Sequence, residues 1–261
     1  MTRRSTPARR TEIMSLLEER GEISVEVLAR YFSTSEVTIR KDLALLEHEG
    51  QLIRRYGGAA LMPRTDPAQV VSPAKLAIAQ AARRRIRDHA RIIVDSGSTT
   101  SALIPQLKDV LGLVVMTNSL AVANALRALE SRPALLLTGG TWDERSGAFQ
   151  GQVAEQVLRA YDFDQLFIGA DGIDVERGTT TFNELLHLSR VMAEVAREVV
   201  VMIESDKLGR RIPNLELAWS AIDVLITDDR LSDALLERIA AQGVEIVCAP
   251  VANTFSDKKT P

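Results

Sequence analysis

The chain has 261 residues, 46% of them hydrophobic, with a formal net charge of −3 and a single cysteine. That length predicts one large domain or a small one joined to a medium one, and the apolar fraction is enough for a core without disulfide or metal staples. Cys248 alone excludes an intrachain disulfide framework and fits a reducing cytoplasm, and a charge so near neutral does not announce nucleic acid.

The chain starts Arg-rich, but no apolar segment follows to make a signal peptide. Runs such as "VVVMI" at 199–203 are too short to span a bilayer, so a cytoplasmic location with no membrane partner is expected. Residues 1–64 carry 11 Lys/Arg against nine acids, and Arg3, Arg4, Arg9 and Arg10 lie in an acid-free run. Pro7 opens a helix expected to reach Arg20, with Ile13, Leu16 and Leu17 on one face and Gly21 ending it. Ser24 caps a second helix, Val25 to Tyr31, and Val27, Leu28 and Phe32 are expected inward. After the turn "FSTS", Ser35 caps a third helix, Glu36 to Glu49, ended by Gly50. Ile39, Leu43 and Leu46 fall three or four apart and face the core. Ser35, Thr38, Arg40 and Lys41 gather at its N-terminal end, where a recognition helix reaches base edges in the major groove. The stretch "QLIRRYGGAAL" reads as a strand, a Gly57-Gly58 turn and a second strand, with Arg54 and Arg55 placed to touch phosphates as a wing. A solvated charged face is the plain alternative. A capped short helix, a short turn, a capped basic helix and a basic hairpin in that order favour double-stranded DNA.

The segment from Gly21 to Ala59 resembles the N-terminal domain of the DeoR family of bacterial transcriptional regulators. The family pattern T-I-R-R-D-L, L-x-x-x-G, R-x-H-G-G-A stands here as Thr38 to Leu43, Leu46 to Gly50, and Arg54 to Ala59. Lys41 replaces the usual Arg and Tyr56 the usual His. Lys41 keeps the charge but loses the planar fork, which favours a phosphate contact over guanine there.

The segment "LMPRTDPAQVVSPAK" holds three prolines and reads as a linker. The expected division is a winged helix-turn-helix at 1–62, a linker at 63–74, an effector domain at 75–250 and a disordered tail at 251–261. Beyond the linker, apolar runs alternate with helical stretches, which predicts a parallel α/β sheet with strands at 91–95, 113–117, 134–138, 164–169, 198–203, 222–227 and 244–248. The first five end in "DSGSTT" (95–100), "TNS" (117–119), "TGG" (138–140), "GADG" (169–172) and "ESDK" (204–207). Ligands of open α/β sheets bind outside the carboxyl ends of the strands, so these endings converge on one rim.

The rim's chemistry points to a phosphorylated sugar. Gly97 lets backbone approach an anion, while Ser98 and Thr99 offer amides at a helix N-terminus together with hydroxyls. Lys207 adds positive charge. Asp95 and Asp171, and Asn183 and Glu184 at an expected helix start, are suited to accept hydrogen bonds from sugar hydroxyls or an amine. Together the residues argue for a phosphate and a polyol rather than for an amine. Taken singly, each ending has an ordinary reading as a helix N-cap, and Lys207 as a surface lysine; it is their number on one rim that favours a site. His48, His89 and His187 are scattered without ligand spacing, and Cys248 is expected in the core. No GxxxxGK[ST] or GxGxxG is present, so no nucleotide cofactor and no metal are expected.

These endings, with "TTFNE" and "SDKLGR", resemble the C-terminal effector domain of the DeoR family, and the resemblance spans about residues 8 to 250. "GQVAEQ", "FDQLFIGADGID" and "TTFNELLHLSRVMAEVAREVVVM" lie nearest its glucitol-operon and glucosamine-linked branch. The resemblance implies a fold similar to ribose-phosphate isomerases and glucosamine-phosphate deaminases. It implies effector contacts at Asp95, Gly97, Ser98, Thr99, Asn118, Gly140, Asp171, Glu184 and Lys207, and glucosamine 6-phosphate as the first effector to try. The expected function is a ligand-controlled transcriptional repressor, not an enzyme, acting as at least a homodimer because symmetric copies match symmetric operators. The alternative is a sugar-phosphate isomerase or deaminase with an attached DNA-binding domain. Those isomerases carry a lysine before a glycine run, whereas the loop expected here is Gly178-Thr179-Thr180-Thr181.

Overall fold

The computed structural model describes residues 6–20, 22–48, 52–55, 58–61, 71–144, 146–181, 183, 186–210 and 212–251. The chain forms two compact units, Met1–Ala68 and Gln69–Pro261. The expected stops Gly21 and Gly50, the turn residues Tyr56 and Gly57, linker residues 63–70, Glu184, tail residues 252–261 and the side chains of Arg54 and Arg55 lie outside the described residues.

In the first unit, α1 (Thr6–Arg20), α2 (Val25–Tyr31) and α3 (Glu36–His48) follow the predicted spans. Their packing stripes supply the core: Ile13 and Leu17 from α1, Val25, Leu28 and Ala29 from α2, and Ile39, Leu43 and Leu46 from α3. Val27 was expected inward and is 42% exposed. The buried stripe of α2 runs through 25, 28 and 29, and Val27 stands about 100° around the helix from Leu28. Ser24 caps α2 by accepting the Val27 amide at 3.2 Å. Strand β1 (Glu22–Ser24) was not expected. It pairs antiparallel with β3 (Gly58–Leu61), which also pairs with β2 (Leu52–Arg55), so the predicted hairpin is two strands of a three-stranded sheet.

The second unit opens with α4 (Pro73–Arg83), which starts inside the stretch read as linker because Ser72 caps it, accepting the Lys75 amide at 3.2 Å. There follow β4 (Arg91–Val94), α5 (Ser98–Ser101), β5 (Val114–Thr117), α6 (Leu120–Arg127) and β6 (Ala134–Leu137). A hairpin of β7 (Thr141–Asp143) and β8 (Ala148–Gln150) leads to α7 (Gln152–Arg159) and β9 (Phe163–Ile168). Next come β10 (Gly172–Asp174), β11 (Gly178–Thr181), α8 (His187–Glu194), β12 (Ala196–Met202) and β13 (Asn214–Ala218). The unit closes with β14 (Val224–Asp228), α9 (Asp233–Ala240) and β15 (Glu245–Ala249).

All seven predicted strands pair in one parallel sheet of order β15-β14-β12-β9-β4-β5-β6. Alternate residues supply opposite cores. Ile92, Val94, Val115, Phe167, Val200 and Met202 pack toward α4 and α6. Ile93, Met116, Leu166, Ile168, Val199 and Val201 pack toward α7 and α8. Burial on both faces is why these strands read as unbroken apolar runs. A separate antiparallel sheet, β10-β11-β13, was not expected. Gly178 to Thr181, predicted as a loop, form its central strand and are buried. Cys248, expected in the core, is exposed, because β15 is the edge strand. No helix among the described residues is long and apolar enough to cross a membrane.

The chain leaves β4 toward β5 and β6, then returns to place β9 on the other side of β4. Loops after β4 and β9 therefore diverge. That is the switch point at which an open α/β sheet leaves a crevice.

Candidate functional site

The reading helix α3 is built from its cap. The Ser35 hydroxyl accepts the Thr38 amide at 3.2 Å and shares a 2.9 Å hydrogen bond with the Thr38 hydroxyl. Arg40 is exposed and pairs with Glu36 one turn back, Nη2 to Oε2 at 2.7 Å. Lys41 is exposed and, among the described residues, unpaired. The next residue, Asp42, is buried and clasped from α1: Arg9 Nε lies 2.6 Å from Oδ2 and Arg10 Nε 3.0 Å from Oδ1. Two arginines of the N-terminal basic run are thus spent on locking α1 to α3, leaving Lys41 as the open cation of the helix.

In the second unit, Asp95 and Asn118 end the adjacent strands β4 and β5 and are joined. Asn118 Nδ2 donates to Asp95 Oδ1 at 2.8 Å, and its Oδ1 accepts the Ser96 amide at 3.2 Å. Gly97 adopts φ 146°, a conformation that favours glycine, so the chain turns sharply into α5. Thr100 closes the turn by donating to the carbonyls of Asp95 and Gly97, at 2.9 and 3.0 Å. Ser98 stays exposed and Thr99 is buried. The first amides of a helix have no partner within it, so this turn presents donors.

Across the crevice, Asp171 follows β9 and accepts the Thr181 hydroxyl at 2.8 Å. Lys207 Nζ reaches the Ala170 carbonyl at 3.4 Å. Burial pulls the Lys207 ammonium below its ordinary range, while Asp171 and Glu204 oppose that pull. Burial pushes the Asp95 carboxyl up to about 6, against the hydrogen bonds from Ser96 and Asn118. Asp95, Asn118, Asp171 and Lys207 thus stand at the ends of adjacent strands beside the switch point.

Gly140 stands apart, beyond the edge strand β6. At φ 112° a Cβ there would meet the Gln150 carbonyl at 2.5 Å, so packing against β8 already accounts for a glycine. Asn183 was expected at a helix start, but α8 begins at His187; the Asn183 carbonyl accepts from Asn214 at 3.1 Å.

Three further acidic side chains were not singled out in the sequence. Asp228 ends β14, fully buried, and accepts the Ser205 amide and hydroxyl, both at 2.8 Å. Burial works against its charge, yet hydrogen bonds from Arg230 and Ser205 hold it well below the usual carboxylate range. Glu204 accepts the Ser72 hydroxyl at 2.8 Å and faces Lys75 at 3.7 Å, tying the end of β12 to the start of α4. Glu216, on β13, is buried and accepts the Ser189 hydroxyl at 2.8 Å. Burial first, and then Asp95 and Asp171, push its carboxyl up to about 8. No local signal marks it, since "LEL" in a short strand reads as a solvent-facing charge.

Comparison with known proteins covers both units. Residues 9–65 match the DeoR-like helix-turn-helix domain, and residues 71–229 match the DeoR C-terminal sensor domain. A protein of Escherichia coli O157:H7 with the provisional name of aga operon transcriptional repressor is 37% identical, covering 93% of this chain and 93% of its own. The HTH-type transcriptional regulator GlpR of Haloferax volcanii is 33% identical, covering 92% of this chain and 96% of its own. Among solved structures, ribose 5-phosphate isomerase A of Methanocaldococcus jannaschii is 20% identical and covers 51% of this chain and 53% of its own, with a TM-score of 0.38. With both domains matched in order and relatives aligned almost end to end, the chain belongs to the DeoR family of helix-turn-helix transcriptional regulators.

Proposed function

We propose that the chain is a repressor of a sugar or amino-sugar operon whose grip on DNA is set by a phosphorylated sugar on the strand-end rim. The observation that carries this is the meeting of the Gly97 turn, the Asp95–Asn118 pair, Asp171 and Lys207 at the switch point of a chain that also carries a reading helix. Amides of the turn and Lys207 suit a phosphate; the carboxylates and Asn118 suit hydroxyls. Ser35, Thr38, Arg40, Lys41, Arg54 and Arg55 are the proposed DNA contacts, and Gly97, Ser98, Thr99 and Glu184 complete the proposed effector set.

A ligand shifts DNA binding only by its differential affinity for two arrangements of the protein. The proposed route is Glu204, because it sits next to the Ser205–Lys207 turn and holds Ser72 and Lys75 where the chain arrives from the reading head. A coupling of about 1–3 kcal/mol is typical of such switches. The rim binds its ligand without turnover, and two or more copies occupy paired half-sites.

The test is a thermal-shift and turnover screen of the whole protein with hexose and pentose phosphates, glucosamine 6-phosphate among them. Stabilisation by one compound with no product formed is the expected result. Conversion of a sugar phosphate that Glu184→Ala abolishes would make the rim an active site instead.

A further inference from the structure

Helix α3 buries one face and leaves the opposite one bare. Ile39 and Leu43 are fully buried and Leu46 is 2% exposed, all three in the core of the first unit. Val37 stands about 160° around the helix from Ile39 and about 180° from Leu46. It is 59% exposed, more than any other large apolar side chain among the described residues of that unit. The packing that explains Ile39 does not explain Val37. Nor does helix formation, since alanine or a straight-chain residue would serve the helix better than a β-branched one.

A single exposed valine is ordinary on a protein surface. Its neighbours give this one a meaning. The polar groups of the first turn are committed to the protein: Ser35 Oγ accepts the Thr38 amide and lies 2.9 Å from the Thr38 hydroxyl. Glu36, the acid of that turn, is neutralised by Arg40, Nη2 to Oε2 at 2.7 Å. Lys41 lies one turn on from Val37 and about 40° around, so it carries the positive charge of the same face. Ala44, half-buried, continues the strip. Val37, Lys41 and Ala44 thus form a face of methyl groups around one cation, with no carboxylate on it.

Such a face suits the major groove, whose flanking phosphates are negative. On the groove floor base pairs offer hydrogen-bond donors, acceptors and, on thymine, a C5 methyl. Valine has no donor or acceptor to give, and a polar base edge pressed against it would lose water without gaining a partner. The thymine methyl is the apolar group within the code of that groove.

We infer that Val37 is a specificity-determining DNA contact that selects a thymine by its C5 methyl, while Lys41 one turn on holds a phosphate. The inference rests on α3 as the reading helix and adds to it a base choice made by an apolar side chain.

The test starts by selecting sequences that the full chain binds from a pool of random duplexes. Thymines of the selected half-site are then replaced one at a time by deoxyuridine, which removes the methyl and leaves every hydrogen-bonding group in place. Affinity is read by fluorescence anisotropy. One thymine per half-site should lose about three- to tenfold on demethylation, the scale of a methyl group withdrawn from water. Val37→Ala should lose about the same factor on the thymine duplex and become indifferent to the exchange. Its salt dependence should match that of the unaltered protein, whereas Lys41→Ala lowers the salt slope and keeps the sensitivity to demethylation. Because Val37→Ala trims an exposed side chain to a better helix former, the melt of the reading head should hold. No cost at any thymine, or a cost that is the same in Val37→Ala, overturns the inference and leaves α3 a reading helix. Failure to enrich any sequence removes the reading helix itself, and the inference with it.

Discussion

Replacing Glu216 by Gln should change how the stability of the sensor unit depends on pH. The fold raises the Glu216 carboxyl from its ordinary 4.5 to about 8, through burial and then through Asp95 and Asp171. A raised carboxyl favours the folded state while it is protonated. That contribution is complete below pH 4.5 and is lost as pH climbs through the folded value of about 8, because the unfolded chain releases its proton first. Each tenfold change in acidity is worth about 1.4 kcal/mol, so the loss across this window is roughly 4–5 kcal/mol at most. Asp95 behaves alike between its ordinary 3.8 and about 6, but it does so in both proteins and cancels in the comparison. Asp228 works in the opposite sense and only at acid pH, since its carboxyl is held low. Urea unfolding followed by tryptophan fluorescence is the assay, and both tryptophans, Trp142 and Trp219, lie in the sensor unit. At pH 5 the two proteins should differ little; by pH 8.5 the Gln variant should be the more stable by several kcal/mol. Parallel stability curves from pH 5 to pH 8.5 would show that the Glu216 carboxyl is solvated.

In the reading head, Asp42→Ala leaves Arg9 and Arg10 facing each other without their buried carboxylate, 2.6 and 3.0 Å from where it stood. The expected cost is roughly 3–5 kcal/mol and a lower first transition in far-ultraviolet circular dichroism; a melt identical to wild type would make the clasp dispensable. Lys41→Ala should weaken DNA binding evenly across sequences and lower the slope of log affinity against log salt by about 0.9, and an unchanged slope would take Lys41 off the phosphates. Lys207→Ala should leave DNA affinity intact and blunt the response to sugar phosphate. Loss of DNA binding itself would assign Lys207 a structural part.

The reading head was largely legible because its helices carry period-3.6 stripes between recognisable caps, such as Ile39, Leu43 and Leu46 behind Ser35. Strand β1 was not, since three residues are too few to alternate. Pairing of Arg9 and Arg10 with Asp42 was hidden as well: it joins residues more than thirty positions apart, and nothing local separates a clasping arginine from a DNA-facing one. The seven parallel strands stood out because both faces are buried and the runs are continuous. The small sheet did not, as "GID" and "GTTT" look like turn and loop. Cys248 was misplaced because an apolar run does not reveal that its strand lies at an edge. Polar strand ends near the switch point followed from topology, whereas Glu216 belongs to a different sheet, and nothing in its short strand shows that it is buried.

The central claim, that one chain couples DNA to a phosphorylated sugar, is tested most directly by fluorescence anisotropy. Labelled DNA from upstream of this gene and its neighbours is titrated with the protein, with and without a panel of sugar phosphates led by glucosamine 6-phosphate. The account predicts salt-dependent binding that one compound shifts by about five- to a hundred-and-fifty-fold, the range expected of an allosteric coupling. DNA binding that no sugar phosphate changes, although one of them binds the protein, would contradict it.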